Sequence, residues 1–217
     1  ADPYTSSAEY CAMLELRNFF TSALQKTGDA AYADKAEKLT FNSMQGARFA
    51  NGKGITYCKP DNCFVLDEKS PLSNFTQTDV RYKYSPTHQD AAVCCNPNYG
   101  RNLPYYVNNM WMQASDGFAK LLYGPSTLQT KFNGTDITIA EATSYPFSDK
   151  VELIITPGKE MALTLYFRKP EWSKSVQVTC DGATITDDGA WIKVYRKWKK
   201  GDHLALTFQN EINITQL

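Results

Sequence analysis

The spacing of apolar residues divides the chain into two parts with different periods. From residue 6 to about 48, Met13, Leu16, Phe20 and Leu24 recur at helical spacing, and Tyr32, Ala36, Leu39 and Ser43 form a second such set. Gly28 and Asp29 stand between the sets, one closing a helix and the other capping the next, with the second helix over about Ala30 to Met44. The segment therefore reads as an αα-hairpin. Ser6 and Glu9 form a capping-box pattern at its start. From Asn51 to about His88 the chain is rich in Gly, Pro, Asn and Ser without clear periodicity, which is long for a connection and marks a candidate functional loop region. A third helix is predicted over about Tyr99 to Gln113, carrying Leu103, Val107, Met110 and Trp111.

After Gly117 the period shortens. FAKLLYG, DITIAEATSYPF, KVELIITP, MALTLYFRKP, KSVQVTC, AWIKVYRKW and HLALTFQN are β-branched and aromatic runs punctuated by Gly, Pro, Asp and Asn. Strands so spaced predict an antiparallel sandwich or jelly roll. The fold class is thus α+β: a helical region with cysteine-containing loops over residues 1–116, then a β-sandwich domain over 117–217.

Composition changes this picture little. A chain that is 42% hydrophobic and 21% charged is an ordinary globular one rather than a disordered one. Net charge is zero and no long single-sign run exists, so the electrostatic footprint of a nucleic-acid binder is absent. The one basic cluster, KVYRKWKK at 193–200, alternates as a strand and runs into Gly201-Asp202, which predicts a solvated hairpin face. No apolar run approaches the roughly 18 residues of a membrane span. The opening Ala1-Asp2-Pro3, without a methionine, reads as a processed form.

The cysteines matter more. Cys58 and Cys63 enclose KPDN, a turn-forming tetrapeptide that favours a local disulfide in an oxidising compartment. Sequons at Asn74, Asn133 and Asn213 are glycosylation candidates and point the same way, to a secreted or extracellular protein. Cys94 and Cys95 are adjacent in DAAVCCNPNYGR, and three fates are open to them: a disulfide, a pair of metal ligands, or a reactive thiol with its helper.

Five strings, AEYC at 8–11, TGDAAYADKAEKLTFNS at 27–43, CCNPNYGR at 94–101, YFRKPEW at 166–172 and RKWKKGDHLAL at 196–206, occur in an order that resembles glycoside hydrolase family 127. These are the β-L-arabinofuranosidase-like enzymes, and the chain resembles their later part. The resemblance implies an (α/α)6 barrel followed by β-sandwich domains, and a zinc ion held by E-x-C and C-C elements. Carried over by position, the ligands are Glu9, Cys11, Cys94 and Cys95, with the Cys94 thiolate as nucleophile at the anomeric carbon. The chemistry is coherent: three sulfurs and a carboxylate suit tetrahedral zinc, which keeps thiols deprotonated near neutral pH. An i, i+2 pair lies about 200° apart on a helix, so joint ligation by Glu9 and Cys11 calls for a helix that begins after Cys11.

The same resemblance implies what the chain lacks. A twelve-helix barrel needs several hundred residues, and the family's acid/base carboxylate lies upstream of the E-x-C element. The expectation is a truncated family 127-like hydrolase, inactive alone, with carbohydrate as a possible partner. The alternative is a secreted, disulfide-braced, non-catalytic binding or self-association module, with Cys11 joined to Cys94 or Cys95. Helix faces that once packed on the barrel would then be covered by a homodimer or a protein partner, and Phe19, Phe20 and Leu24 lie together on the first helix.

Overall fold

The computed structural model describes residues 7–47, 58–60, 94–210 and 212. Cys63, Asn74 and Asn213 lie outside the described residues, as do the Cys58 side chain and most of the predicted loop region. The chain forms two units, one of Ala1–Lys26 with Lys35–Tyr106, the other of Thr27–Asp34 with Val107–Leu217.

In the first unit, strand β1 (Ser7–Glu9) pairs antiparallel with β2 (Cys58–Pro60), placing Glu9 opposite Cys58. This pairing holds Glu9 extended, and α1 (Tyr10–Thr27) begins at the next residue. Glu9 is therefore a strand residue, not the capping-box partner of Ser6. The helix buries Tyr10, Met13, Leu14, Arg17, Thr21 and Leu24, a stripe at i, i+3, i+4 spacing. Leu16, expected on that stripe, is 45% exposed, and Phe19 is 60% exposed. The place the apolar pattern gave to Leu16 belongs to the buried Arg17. Its guanidinium donates to the Asn102 side-chain oxygen and, at 3.0 Å, to the Asn102 carbonyl, while Asn102 Nδ2 donates to Tyr10 Oη at 3.0 Å. A buried cation survives because these acceptors replace water.

Helix α2 (Ala31–Lys38) runs into a π-helical turn, Leu39–Met44. As the sequence predicts, Gly28 takes a left-handed φ of 72° and Asp29 Oδ1 accepts the Ala31 N–H at 3.0 Å. Helix α3 spans Cys95–Asn108. It starts four residues before the predicted Tyr99, because Pro97 is tolerated in a first turn. It also ends earlier, and Leu103 and Val107 on it are 68% and 46% exposed.

The second unit holds ten strands among the described residues: β3 (Trp111–Ala114), β4 (Gly117–Lys120), β5 (Ser126–Phe132), β6 (Thr135–Ala142), β7 (Lys150–Pro157), β8 (Met161–Arg168), β9 (Ser173–Thr179), β10 (Thr184–Asp187), β11 (Trp191–Trp198) and β12 (Asp202–Asn210). They form two five-stranded sheets, ordered β10-β11-β8-β4-β3 and β5-β6-β7-β12-β9. All described neighbours pair antiparallel except β4 and β8, which are parallel. Alternation places Ile137 and Ile139 of β6, Leu153 and Ile155 of β7, and Leu204 and Leu206 of β12 inside, with Leu165, Phe167, Ile192 and Val194 from the other sheet. Phe118 and Phe132 meet edge to face across the sheets at 5.6 Å.

Three strands depart from the sequence reading. Trp111 belongs to β3 rather than to a helix reaching Gln113, since Trp111 to Ala114 pair with Lys120 to Gly117. β5 and β10 were absent from the predicted runs because their apolar alternation is weak, and every residue of β10 is exposed. The basic cluster forms a hairpin arm, three of whose charges are met: Lys193 by Asp188 at 3.1 Å, Arg196 by Asp202 at 3.0 Å and Lys197 by Glu160 at 3.0 Å. Asn133 sits exposed at the β5–β6 turn with φ 48°, followed by Gly134 at 75°.

Candidate metal centre

Four ligand-type side chains converge in the first unit. Glu9 is the last residue of β1, Cys11 the second residue of α1, Cys94 the residue before α3 and Cys95 its first. Asn98 N–H donates to the Cys94 carbonyl at 3.3 Å, so Cys94 caps α3. The site thus lies where the N-termini of two helices meet, and both helix dipoles favour anionic ligands there. The helix does not begin after Cys11, as the i, i+2 spacing had required. One extended residue, Glu9, followed at once by helix turns both groups to one place.

The distances suit a tetrahedral ion. Cys11 Sγ and Cys95 Sγ are 3.3 Å apart, Cys94 Sγ and Cys95 Sγ 3.9 Å, and Cys94 Sγ donates to Glu9 Oε1 at 3.6 Å. All four ligand atoms lie within 4.8 Å of one another. Ordinary zinc bond lengths give tetrahedral edges of about 3.8 Å between sulfurs and about 3.5 Å from sulfur to oxygen. The donor set therefore fits zinc in both chemistry and size.

Burial grades the three thiols. Cys95 is fully buried beside Tyr10, Met13, Leu14, Met44 and Ala47, Cys11 is half-buried and Cys94 is exposed. Burial pushes the Cys95 and Cys11 thiols above the ordinary value, and for Cys95 its bond to Cys11 adds to the rise. A neighbouring cation is what would bring such thiols to the thiolate form. None of Cys11, Cys94, Cys95 and Cys180 is in a disulfide, and 3.3 Å is far beyond the roughly 2.05 Å of a bonded pair. The bridge from Cys11 to Cys94 or Cys95 that the alternative reading called for is not formed.

Some residues of this site escaped the sequence reading. Asn98 is buried, Arg101 donates to Asn98 Oδ1, and Asn102 ties α3 to Tyr10 and Arg17 of α1. Their spacing from Cys94, at i+4, i+7 and i+8, was a legible signal of one helix face.

A helical segment with a thiol-rich centre, joined to a β-sandwich, is the architecture of certain glycoside hydrolases, and the comparisons agree. The sequence family "Beta-L-arabinofuranosidase, GH127 catalytic domain" matches residues 2–108, and "Beta-L-arabinofuranosidase, GH127 middle domain" matches residues 118–210. The chain belongs to glycoside hydrolase family 127. Among solved structures it is similar to Ara127N-Se, a GH127 β-L-arabinofuranosidase from Geobacillus stearothermophilus T6, with 26% identity and a TM-score of 0.79, covering 94% of this chain and 32% of that one. A second, described as a glycoside hydrolase, gives 27% identity and a TM-score of 0.77, over 95% of this chain and 33% of the other. The GH127 β-arabinofuranosidase BT3674, at 21% identity and a TM-score of 0.76 over 95% and 33%, shares the fold. The chain spans about a third of the length of these solved relatives. No curated protein matches it.

Proposed function

We propose that this chain carries the thiol-and-metal part of a β-L-arabinofuranosidase-type active site, with Glu9, Cys11, Cys94 and Cys95 holding one zinc ion and Cys94 serving as nucleophile. The observation that carries this reading is the convergence of three sulfurs and one carboxylate, from segments 85 residues apart, to within 4.8 Å. Bound zinc would keep the coordinating thiols deprotonated near neutral pH.

The remaining roles follow from burial. Cys95 and Cys11, packed among Tyr10, Met13 and Leu14, are fixed in place, and Glu9 is held by the β1–β2 ladder. Cys94 is the accessible sulfur, and α3 presents it at its N-terminus, where negative charge is favoured. On an arabinofuranoside, this sulfur attacks the anomeric carbon as the glycosidic C–O bond breaks, and the departing oxygen takes a proton. Among the described residues Glu9 is the one carboxylate grouped with the sulfurs, and a separate group has to supply the proton.

Metal analysis and thiol counting on one chelator-free sample test the reading. One zinc per chain is expected, with Cys11, Cys94 and Cys95 protected from thiol reagents until a chelator is added. A chain without zinc, whose three thiols react freely, would overturn it.

A further inference from the structure

We infer that Asn102 is a positioning residue of the metal centre: it pins α1 against α3 through Tyr10 and Arg17, and so fixes Glu9 and Cys11 opposite Cys94 and Cys95. The inference rests on the metal reading above. Tyr10 stands between the ligands Glu9 and Cys11 in the chain, and its side chain is fully buried. Wherever Tyr10 is anchored, the ligands on either side of it are placed.

The anchor comes from α3. Asn102 Nδ2 donates to Tyr10 Oη at 3.0 Å, and the Tyr99 ring, about one turn earlier on the same helix, stands 6.3 Å from the Tyr10 ring. Arg17 sets the direction of the amide. A guanidinium has donors only, so the Asn102 side-chain atom that meets Arg17 Nη1 is the oxygen, and Nδ2 is turned toward Tyr10. Arg17 Nη2 also donates to the Asn102 carbonyl at 3.0 Å, which ties the cation to the α3 backbone.

The sequence spacing puts this pin and the metal ligands on the same two helix faces. Cys95, Tyr99 and Asn102 follow one another at i, i+4 and i+7 on α3, and Tyr10, Leu14 and Arg17 do so on α1. The helices touch at Cys11 and Cys95, 3.3 Å apart, and again at Arg17 and Asn102 nearly two turns further on. Apolar packing is not directional and does little to stop one helix sliding along the other. A hydrogen bond of 3.0 Å loses its geometry with a shift of about half an ångström, and a zinc site needs its ligand distances held to about 0.2 Å. A buried cation such as Arg17 adds little stability that an apolar residue of its size would not. What its directional bonds add is register, and register is what the ligand set needs.

The test uses the full chain with two variants and a control. Asn102→Leu combined with Arg17→Met removes the acceptor and the cation together, so no buried charge is stranded and metal-free melting is expected to stay near the parent value. Chelator competition should show zinc bound about tenfold more weakly, the loss typical where groups that orient metal ligands are removed. The visible bands of the cobalt-substituted protein should shift with it. Tyr10→Phe deletes one oxygen and keeps the ring; it should weaken zinc and shift the cobalt bands in the same direction, and it decides the matter if the double variant does not fold. Leu24→Ala is the control, a buried position at the far end of α1 from the ligands. It should lower metal-free melting and leave the cobalt bands in place. Zinc affinity and cobalt bands unchanged in the pin variants would overturn the inference and leave the metal reading intact. So would a control that shifts the bands as far as they do, because the role would then be structural alone. A parent chain that binds no zinc overturns both.

Discussion

Gly117→Ala should unfold the sandwich at a markedly lower temperature, and the reason is one close approach. At Gly117 the parallel strands β4 and β8 run so near that a Cβ would overlap the Thr164 carbonyl oxygen, lying 2.8 Å from the carbonyl carbon and 2.9 Å from the nitrogen. Ordinary carbon–carbon contact is about 3.5 to 4.0 Å, so the strands would have to part by at least about 0.7 Å. The Thr164 N–H to Asp116 carbonyl bond, now 2.9 Å, would stretch beyond hydrogen-bonding range, and the neighbouring Phe118–Leu165 pairing with it. One or two lost hydrogen bonds at about 1 kcal/mol each, with about 1 to 3 kcal/mol of overpacking, give about 2 to 5 kcal/mol. For a unit of this size that is a fall of roughly 8 to 20 °C in the midpoint. Thermal melting followed by circular dichroism measures it, with Gly158→Ala as control, because a Cβ there meets Asp136 O at an ordinary 3.4 Å. If the two variants melt within about 2 °C of each other, roughly half a kcal/mol, the close-approach reasoning is wrong.

Other perturbations separate stability from chemistry. Cys94→Ser should leave the metal-free fold within about 0.5 kcal/mol of the parent, because the residue is exposed, while Cys95→Ser places a hydroxyl in the core at a cost of about 1 to 3 kcal/mol; both should weaken zinc in a chelator titration. Lys120→Met strands the Glu141 carboxylate, whose side chain is wholly buried with that of Lys120, and should cost about 3 to 5 kcal/mol in urea unfolding. Lys120→Met with Glu141→Leu should recover most of that loss. Partial burial works to raise the Asp116 carboxyl, but hydrogen bonds from Thr164 Oγ1 and Tyr166 Oη, both 2.8 Å, hold it below the ordinary range. A depressed carboxylate contributes stability that is present above its unfolded value of about 3.9 and lost as pH falls through the folded one. Asp116→Asn should therefore show a flatter stability profile than the parent below about pH 4, and an unchanged acid slope would refute the assignment.

The sequence was readable where burial is regular. The strands β6, β7, β11 and β12 alternate cleanly, and Gly28-Asp29 marked its helix boundary through a left-handed residue and a side-chain cap. It was opaque where polar groups are buried or apolar ones exposed. Arg17 is interior because Asn102 receives it, and nothing along the helix announces a partner 85 residues away. Leu16 and Leu103 look like core residues by type and are not. At the centre itself, residue chemistry and resemblance named the four ligands. The spacing of Asn98, Arg101 and Asn102 marks one face of α3, but that Asn102 of this face meets Tyr10 and Arg17 of α1 is visible only in the structure.

The cysteine centre joins chain segments whose ligands Cys11 and Cys95 stand 84 positions apart in the sequence. An ion gripped by both ends would act as a cross-link, closing that loop in the unfolded ensemble as well as the folded one. By the chain-entropy relation used for covalent bridges, a loop of this length corresponds to roughly 4 to 5 kcal/mol. Zinc here would be a topological staple as much as a catalytic aid, and its removal would lower the stability of the first unit before any chemistry was at stake.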